Sequence, residues 1–532
     1  MRTVKLALIP AALLVAAVFA PQASALTQPK QLHSKNGVLK ADFTAAPGSA
    51  MINGKRTKGT FTYNGQYIGP TLNVKPGDTI DLRITNELSE ETNIHFHGLH
   101  VSPAGISDNV LRRFMPGKTY HVVVKIPHDH ANGLYWYHPH LHGQVNDQVF
   151  RGMAGMISIK GGTEEVKSLR KFRDRQIGLS LAQFTPDGSS LINPNDQNDP
   201  TATTLVNGRT DQQIDMRPGD VERWRLANMS NEGFIKVQLE GHEMWIVGED
   251  GNPTRVAIES KTIVIPPGSR TEVLVRAKNK GRFKLKQLPY NEGFTSFPAQ
   301  DLLTLKVSGD EVPAKRIPRR LNDFKDLSDA KVATRRTWRL SFGPDSAPQF
   351  EALINGKQFS PDRIDTVAKL GGVEEWTFIN ETTEMHPLHL HTNDFQVVAV
   401  NGKRRKPQAP IDNYIVPPSG SLTIRFKPIT YTGTAVFHCH ILFHEDSGMM
   451  ATIKFVKDKP SASVVRTANQ PSVHDEAVAG QRVFDAGSVE PIGGHVGGHG
   501  HKKHAHAVPI GYGPGGDPAA GGVNSWLFCK LD

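Results

Sequence analysis

Apolar and polar residues alternate with a period of two over most of this chain, and glycine, proline and asparagine interrupt the alternation at short intervals. TIDLRITN (79–86), TEVLVRA (271–277) and LTIRFKP (422–428) show the pattern plainly. A period of two sends successive side chains to opposite faces of a strand, so each run predicts a strand with one face in a core. Apolar residues at helical spacing are scarce. The pattern predicts an all-β chain of many short strands, arranged as β-sandwiches or barrels.

One arrangement is written three times. NGQYIGPTLNVKPGDTIDLRITN (64–86), NGRTDQQIDMRPGDVERWRLAN (207–228) and NGKQFSPDRIDTVAKLGGVEEWTFIN (355–380) each open on Asn-Gly, pass a glycine turn and close on a strand ending in Asn. Asn-Gly and Pro-Gly-Asp punctuate strands because Gly accepts positive φ and Pro presets a turn. A second phrase recurs as MPGKTYHVVVKI (115–126), PPGSRTEVLVRA (266–277) and PPSGSLTIRFKP (417–428). The repeat distance of roughly 140–150 residues indicates triplication of a domain rather than a solenoid of short units. The expected domains span 40–165, 170–310 and 330–458.

The two ends read differently. Residues 1–25 carry a basic start (Arg2, Lys5), an apolar stretch from Leu6 to Phe19 and small residues at Ala23-Ser24-Ala25, the pattern of a secretory signal peptide. The apolar stretch is too short to cross a bilayer and no later run is long enough, so no stable membrane insertion is expected. Residues 459–532 turn Gly- and His-rich, as in GGHVGGHGHKKHAHA, a composition that cannot build a packed core and predicts a disordered tail.

The net charge of +10 is spread along the chain, as in GKRRKP (402–407), and describes a solvated basic surface on an exported protein, not a nucleic-acid partner. Two cysteines, Cys439 and Cys529, supply no disulfide framework. Histidine changes the picture more. Ten of the 23 histidines fall in four clusters, all in the first and third expected domains: His95/His97, His138/His140, His386/His389/His391 and His438/His440/His444. In a strand, residues i and i+2 share a face, so each His-x-His pair can aim two imidazoles at one point. GLYWYHPH (133–140) matches GTAVFHCH (433–440) position for position, with Pro139 where the later copy has Cys439, and His95-Phe-His97 matches His389-Leu-His391. The middle counterpart, GRFKLKQL (281–288), has no histidine. These matches predict a metal cluster between the first and third domains, with the second as a spacer. His142 matches Leu442 and is expected to be structural or solvent-facing.

Cys439, between two imidazoles, reads as a ligand. With His386, His444 and a weak axial Met it makes a His₂Cys set suited to copper; Met449 is favoured for the axial place on spacing, with Met450 the alternative. Zinc would call for a closed tetrahedral Cys/His site, which one cysteine against ten histidines does not suggest.

HFHG (95–98), HPHLHG (138–143), HPLHLH (386–391) and HCHILFHEDSGM (438–449) resemble, in order, the four copper motifs of the multicopper oxidases, and specifically the three-domain bacterial laccase-like oxidases. The resemblance implies three cupredoxin-like domains and four copper ions. It places a type 1 copper on His386, Cys439, His444 and Met449, a type 2 copper on His95 and His389, and a type 3 pair on His97, His138, His140, His391, His438 and His440. It implies an oxidase that couples one-electron oxidation of a small reductant to four-electron reduction of dioxygen to water, with electrons entering at an exposed edge of His444. Asp108 and Glu445 resemble the acids that relay protons there. Family substrates are phenols, aromatic amines or metal ions such as Cu(I), Fe(II) or Mn(II); no Met-rich insert precedes the Cys439 motif, which favours a phenol-oxidising, laccase-like enzyme in the periplasm or outside the cell. Oxidation of metal ions in copper tolerance is the alternative activity, and an exported copper-sequestering protein is the alternative of another class. The tail histidines suit copper capture.

Overall fold

The computed structural model describes residues 24–162, 166–192 and 202–458. The expected signal peptide up to residue 23, and the expected tail with its histidines and Cys529, lie outside the described residues. Ser24 and Ala25 pair in parallel with Gln212 and Gln213.

The alternating runs fold as sheets stacked in pairs, forming three successive cupredoxin-like β units with two short helices, Val145–Phe150 and Leu442–Asp446. In each unit the strand that closes the repeated phrase pairs antiparallel with the strand of the second phrase. Thr79–Asn86 lies against Thr119–Lys125, Val221–Asn228 against Arg270–Arg276, and Glu374–Asn380 against Ser421–Phe426. Inward-facing residues of the two sheets meet in one core per unit: Phe43, Leu82 and Tyr137 in the first, Trp224, Ile246 and Leu305 in the second, Trp376, Phe437 and Ile453 in the third. No helix among the described residues is long and apolar enough to cross a membrane.

The three Asn-Gly turns take positive φ at both residues: 56° and 73° at Asn64-Gly65, 49° and 79° at Asn207-Gly208, 54° and 72° at Asn355-Gly356. A bridge closes each turn, Tyr63 to Gln66, Val206 to Arg209 and Ile354 to Lys357. The asparagine ending each phrase is a fastener. Asn86, Asn228 and Asn380 are buried, and each accepts a backbone N–H two residues on, from Leu88, Ser230 and Thr382. Each also donates to two carbonyls: Glu90 and Phe114, Gly233 and Ile265, Glu384 and Pro417. One amide thus holds a loop to the end of the neighbouring strand in all three units, which explains why the sequence repeats it.

Register carries the same symmetry to the histidines. His95 lies opposite His138, and His389 lies opposite His438. The helices that follow the His138 and His438 pairs pack on each other through Val145, Val149 and Leu442, drawing the first and third units together where the histidines sit.

Asn228→Ala removes its hydrogen bonds to the Gly233 and Ile265 carbonyls and from the Ser230 N–H at once, a loss of roughly 2–4 kcal/mol. The expected outcome is a thermal midpoint lowered by several degrees, measured by calorimetry.

Candidate metal centre

Eight imidazoles meet at the seam of the first and third units: His95, His97, His138, His140, His389, His391, His438 and His440, all buried. His95 stacks on His391 with ring centres 4.0 Å apart, and His97 on His389 at 3.8 Å. The Nε2 atom of His438 lies 3.1 Å from that of His140 and 3.2 Å from that of His391. Four overlapping groups in this cluster bring their donor atoms within 4.8 Å of one another: His95/His97/His138, His95/His389/His391, His140/His391/His438 and His97/His389/Asp412.

Most rings spend one nitrogen on the surrounding protein and turn the other inward. The Nδ1 of His95 donates to Asp108 (3.0 Å), that of His138 to the Pro139 carbonyl (2.7 Å) and that of His389 to the Asp412 carbonyl (2.8 Å). His97 is reversed: its Nε2 donates to Asp412 Oδ1 at 3.0 Å. The inward nitrogens are then His95 Nε2, His138 Nε2, His389 Nε2 and His97 Nδ1, buried and without a hydrogen-bond partner, as are both nitrogens of His440. Unpaired buried polar atoms are costly, and so many lone pairs aimed at one volume fit a cation. Burial pushes the imidazoles of His95, His97, His138, His391 and His440 well below the usual histidine range, so they stand neutral with lone pairs available.

A second group lies beside the first. Cys439 Sγ faces the Nδ1 of His386 at 3.4 Å and the Nδ1 of His444 at 3.8 Å, all three residues buried. The far nitrogen of His386 is held by Thr382 Oγ1 at 2.8 Å. Met449 packs in the same core as Cys439, whereas Met450, one residue on along the chain, faces Val110 and Val436. Burial raises the Cys439 thiol, so a thiolate there requires a neighbouring cation. Both donor sets suit copper: thiolate plus two imidazoles in one, imidazoles alone in the other.

Asp108 and Glu445 both lie against this centre. Asp108 Oδ1 also accepts the Phe96 N–H at 3.0 Å, and burial raises its carboxyl to about 8. Glu445 is fully buried, with its oxygens 3.3 Å from His140 Nδ1 and 3.1 Å from His438 Nδ1. Burial works against its charge, but these two imidazoles outweigh it and hold the carboxyl at about 2. A cavity of about 340 Å³, lined by His140, His142, Phe359 and Met450 among others, opens from this side onto His140. His142 is half-buried in its wall, edge-on to Phe359.

Family models described as multicopper oxidase match residues 44–164, 174–295 and 329–459. The chain belongs to the multicopper oxidases. The multicopper oxidase mco of Staphylococcus aureus is 28% identical over 451 residues, covering 81% of this chain and 92% of the relative. Among solved structures, the multicopper oxidase of Campylobacter jejuni, described as a metallo-oxidase, superposes with a TM-score of 0.71 at 27% identity, covering 82% of this chain and 96% of that one. A laccase from Pediococcus acidilactici gives 0.70 at 26% identity, covering 82% and 95%. Members of this multicopper oxidase family use copper, dioxygen and a reducing substrate.

Two expectations about this multicopper oxidase need correction. The open edge of His444 is closed: the residue is 5% exposed, its ring covered by Phe342 and Phe350 at 5.3 and 5.7 Å, its Nε2 3.4 Å from Glu384. These covering residues come from loops and strands remote in sequence, which strand alternation does not register. Nor is the second unit only a spacer. Its Arg270 pairs with Asp412, which touches His97 and His389. Sequence reasoning passed over Asp412, Arg270, Glu384 and Asp446. Asp446 accepts the N–H groups of Gly143 (2.6 Å) and Asn146 (2.8 Å), fastening the two histidine loops together. The one available signal was position: Arg270 sits inside the second repeated phrase, where the other copies have Thr119 and Ser421.

Gly268, at φ +86°, leaves no room for a side chain; a Cβ would stand 2.7 Å from both the His440 ring and the Asn413 amide. Gly268→Ala is expected to displace His440 at a strain of roughly 1–3 kcal/mol. Elemental analysis after copper loading should find fewer ions per chain than in the wild type.

Proposed function

We propose that this chain is a laccase-like oxidase that couples one-electron oxidation of phenolic or similar substrates to the four-electron reduction of dioxygen to water. The observation that carries the proposal is the position of Cys439. Its sulfur faces His386 and His444, while the residues on either side of it, His438 and His440, belong to the eight-imidazole cluster. In this reading His386, Cys439, His444 and Met449 hold a type 1 copper, His95 and His389 a type 2 copper, and His97, His138, His140, His391, His438 and His440 a type 3 pair. The three units act as domains over 40–165, 170–310 and 330–458, and residues 1–25 direct export to the periplasm or beyond the cell.

Four bound copper ions would supply reversible one-electron redox chemistry, enough together to match the four electrons that dioxygen takes up. The protein's part is arrangement. Glu384, Phe342 and Phe350 form the face that a donor meets above His444, and Phe350, 43% exposed, offers an aromatic ring for a flat donor to stack on. Glu384, its carboxyl raised to about 7 by burial, can accept the proton a phenol releases on oxidation. Backbone alone joins Cys439 to the two flanking imidazoles. On the far side, Asp108 holds a proton beside the cluster and Glu445 stands ionised as an acceptor for one, and the cavity at His140 gives dioxygen and water a way in.

Oxidation of metal ions is the second reading. Its support is the same carboxylate: Glu384 at His444, with Glu292 close enough to raise it further, suits a cationic donor as well as a phenol. The similarity to a protein described as a metallo-oxidase points the same way. Oxygen uptake with a phenol, Cu(I), Fe(II) and Mn(II) under matched conditions decides between them. The phenol should give the fastest turnover; uptake with metal ions alone favours the second reading. Copper uptake without oxygen consumption would make the chain a sequestering protein. Cys439→Ser should remove the intense orange-red absorption of the copper-loaded protein and lower turnover with every donor by more than about a thousandfold.

A further inference from the structure

The unit without candidate copper ligands abuts His440 at Gly268 and reaches further into the oxygen-reducing cluster's surroundings with the Arg270 side chain. Arg270 opens the strand Arg270–Arg276 and is 1% exposed. A guanidinium has five N–H donors, and here all five are engaged. Nε donates to the Leu134 carbonyl of the first unit at 3.3 Å. Nη1 donates to the Gly268 carbonyl at 3.1 Å and to Asp412 Oδ1 at 2.8 Å. Nη2 donates to the Asp250 carbonyl at 3.1 Å and to Asp412 Oδ2. One residue of the second unit is therefore fixed to the first and grips a carboxylate of the third with both arms.

That carboxylate is shared with the histidines. Asp412 Oδ1 lies 3.0 Å from His97 Nε2 and 3.3 Å from His389 Nδ1, and its carbonyl accepts the same His389 Nδ1–H at 2.8 Å. The two rings are stacked, 3.8 Å apart and 11° from parallel, yet they are held by opposite nitrogens. His97 consequently turns Nδ1 inward and His389 turns Nε2 inward, and both inward atoms lack a hydrogen-bond partner. Asp250 completes the frame: its Oδ2 accepts the Asn413 N–H at 3.1 Å and its Oδ1 the Arg270 N–H at 2.9 Å. Gly98, directly after His97 and at φ +83°, has no space for a Cβ, which would overlap the Arg270 guanidinium and Asp412. The glycine of HFHG is what lets the guanidinium come this close.

A buried ion pair is by itself weak support for stability, because desolvating two charges offsets much of their attraction. What distinguishes this pair is that the carboxylate's remaining capacity is spent on two imidazoles of the cluster, and partners of this kind fix which nitrogen a histidine offers to a metal. We propose that Arg270 is a positioning residue of the oxygen-reducing centre: acting through Asp412, it sets which ring nitrogens of His97 and His389 face the copper ions. The proposal rests on the copper-oxidase reading above. Arg270 touches neither substrate nor reacting atoms.

The test uses the full-length, copper-loaded chain as wild type, Arg270→Met, Arg270→Lys, Asp412→Asn and the double variant Arg270→Met/Asp412→Asn. The orange-red absorption tied to Cys439 reports folding and the electron-entry centre and should persist in all of them. In Arg270→Met, the paramagnetic resonance signal of copper not bound to Cys439 should change its hyperfine splitting or lose intensity. Turnover with a phenol should drop about 10- to 100-fold while KM for the phenol stays put. Lys restores the charge but not the two-armed geometry, so Arg270→Lys should recover part of the turnover. Adding Arg270→Met to Asp412→Asn should lower turnover less than about twofold further, because both act on one path.

A lowered thermal midpoint with unchanged resonance spectrum, copper content and turnover would make Arg270 a structural residue and overturn the proposal. So would full multiplication of the two effects in the double variant. If Arg270→Met does not fold, Arg270→Lys carries the same readouts, and wild-type behaviour in it overturns the requirement for two-armed contact. A wild-type chain that consumes no oxygen with any donor fails the oxidase reading alone; copper stoichiometry and the resonance signal of the variants then still decide the role of Arg270.

Discussion

Alternation along one strand is the constraint on which both centres depend. In an extended chain neighbouring side chains point to opposite faces, so His438 and His440 share one side and Cys439 the other. The strand Gly433–Cys439 lies in a sheet with the third unit's core on one face and the seam with the first unit on the other. The cysteine is thereby delivered to His386 and His444, and the two histidines to the eight-ring cluster, without any loop having to bridge the gap. Separation of two centres by a single residue is a consequence of pleating. Shifting the strand by one position would exchange the faces and destroy both.

Holding the cluster is a separate problem, because neither unit alone encloses it. His95, His97, His138 and His140 arrive from the first unit, His389, His391, His438 and His440 from the third. The seam is closed by apolar contact between two short helices, by Asp446 accepting N–H groups from the first unit, and by Arg270 from the second unit touching both of the others. Buried charges appear here in matched sets rather than singly. Burial works against the Arg270 charge, while Asp412 and Asp250 raise its pKa; burial likewise raises the Asp412 carboxyl, and Arg270 together with His389 more than compensates. The bonds that close the seam also orient the rings.

The face above His444 shows the opposite design, small and adaptable. Phe342, Phe350 and Glu384 cover the imidazole with aromatic rings and one half-buried carboxyl. Under the proposed function a phenol would use the exposed Phe350 ring and a metal ion the Glu384 carboxylate, different atoms of the same few residues. The eight-imidazole cluster, by contrast, is buried throughout, with a cavity of about 340 Å³ reaching its His140.

Much of this was legible in the chain. Alternating runs marked the strands, the Asn-Gly phrases marked the turns, and the match of GLYWYHPH to GTAVFHCH placed the two His pairs at equivalent positions, which the structure shows as His95 opposite His138 and His389 opposite His438. Asp108, eleven residues beyond His97, does reach the cluster, by way of His95. These features are local or repeated, and both the strand period and the repeat are written in order along the sequence. The grip of Arg270 on Asp412 spans 142 residues, and the cover that Phe350 places over His444 joins a loop to a distant helix. Period-two patterning says which side of a strand a residue takes, but not which surface of another unit will lie against it. The sequence by itself determined the candidate ligands and the faces they occupy; only the packing of three units decided which carboxylates and cations stand behind them, because those contacts exist only once the units meet.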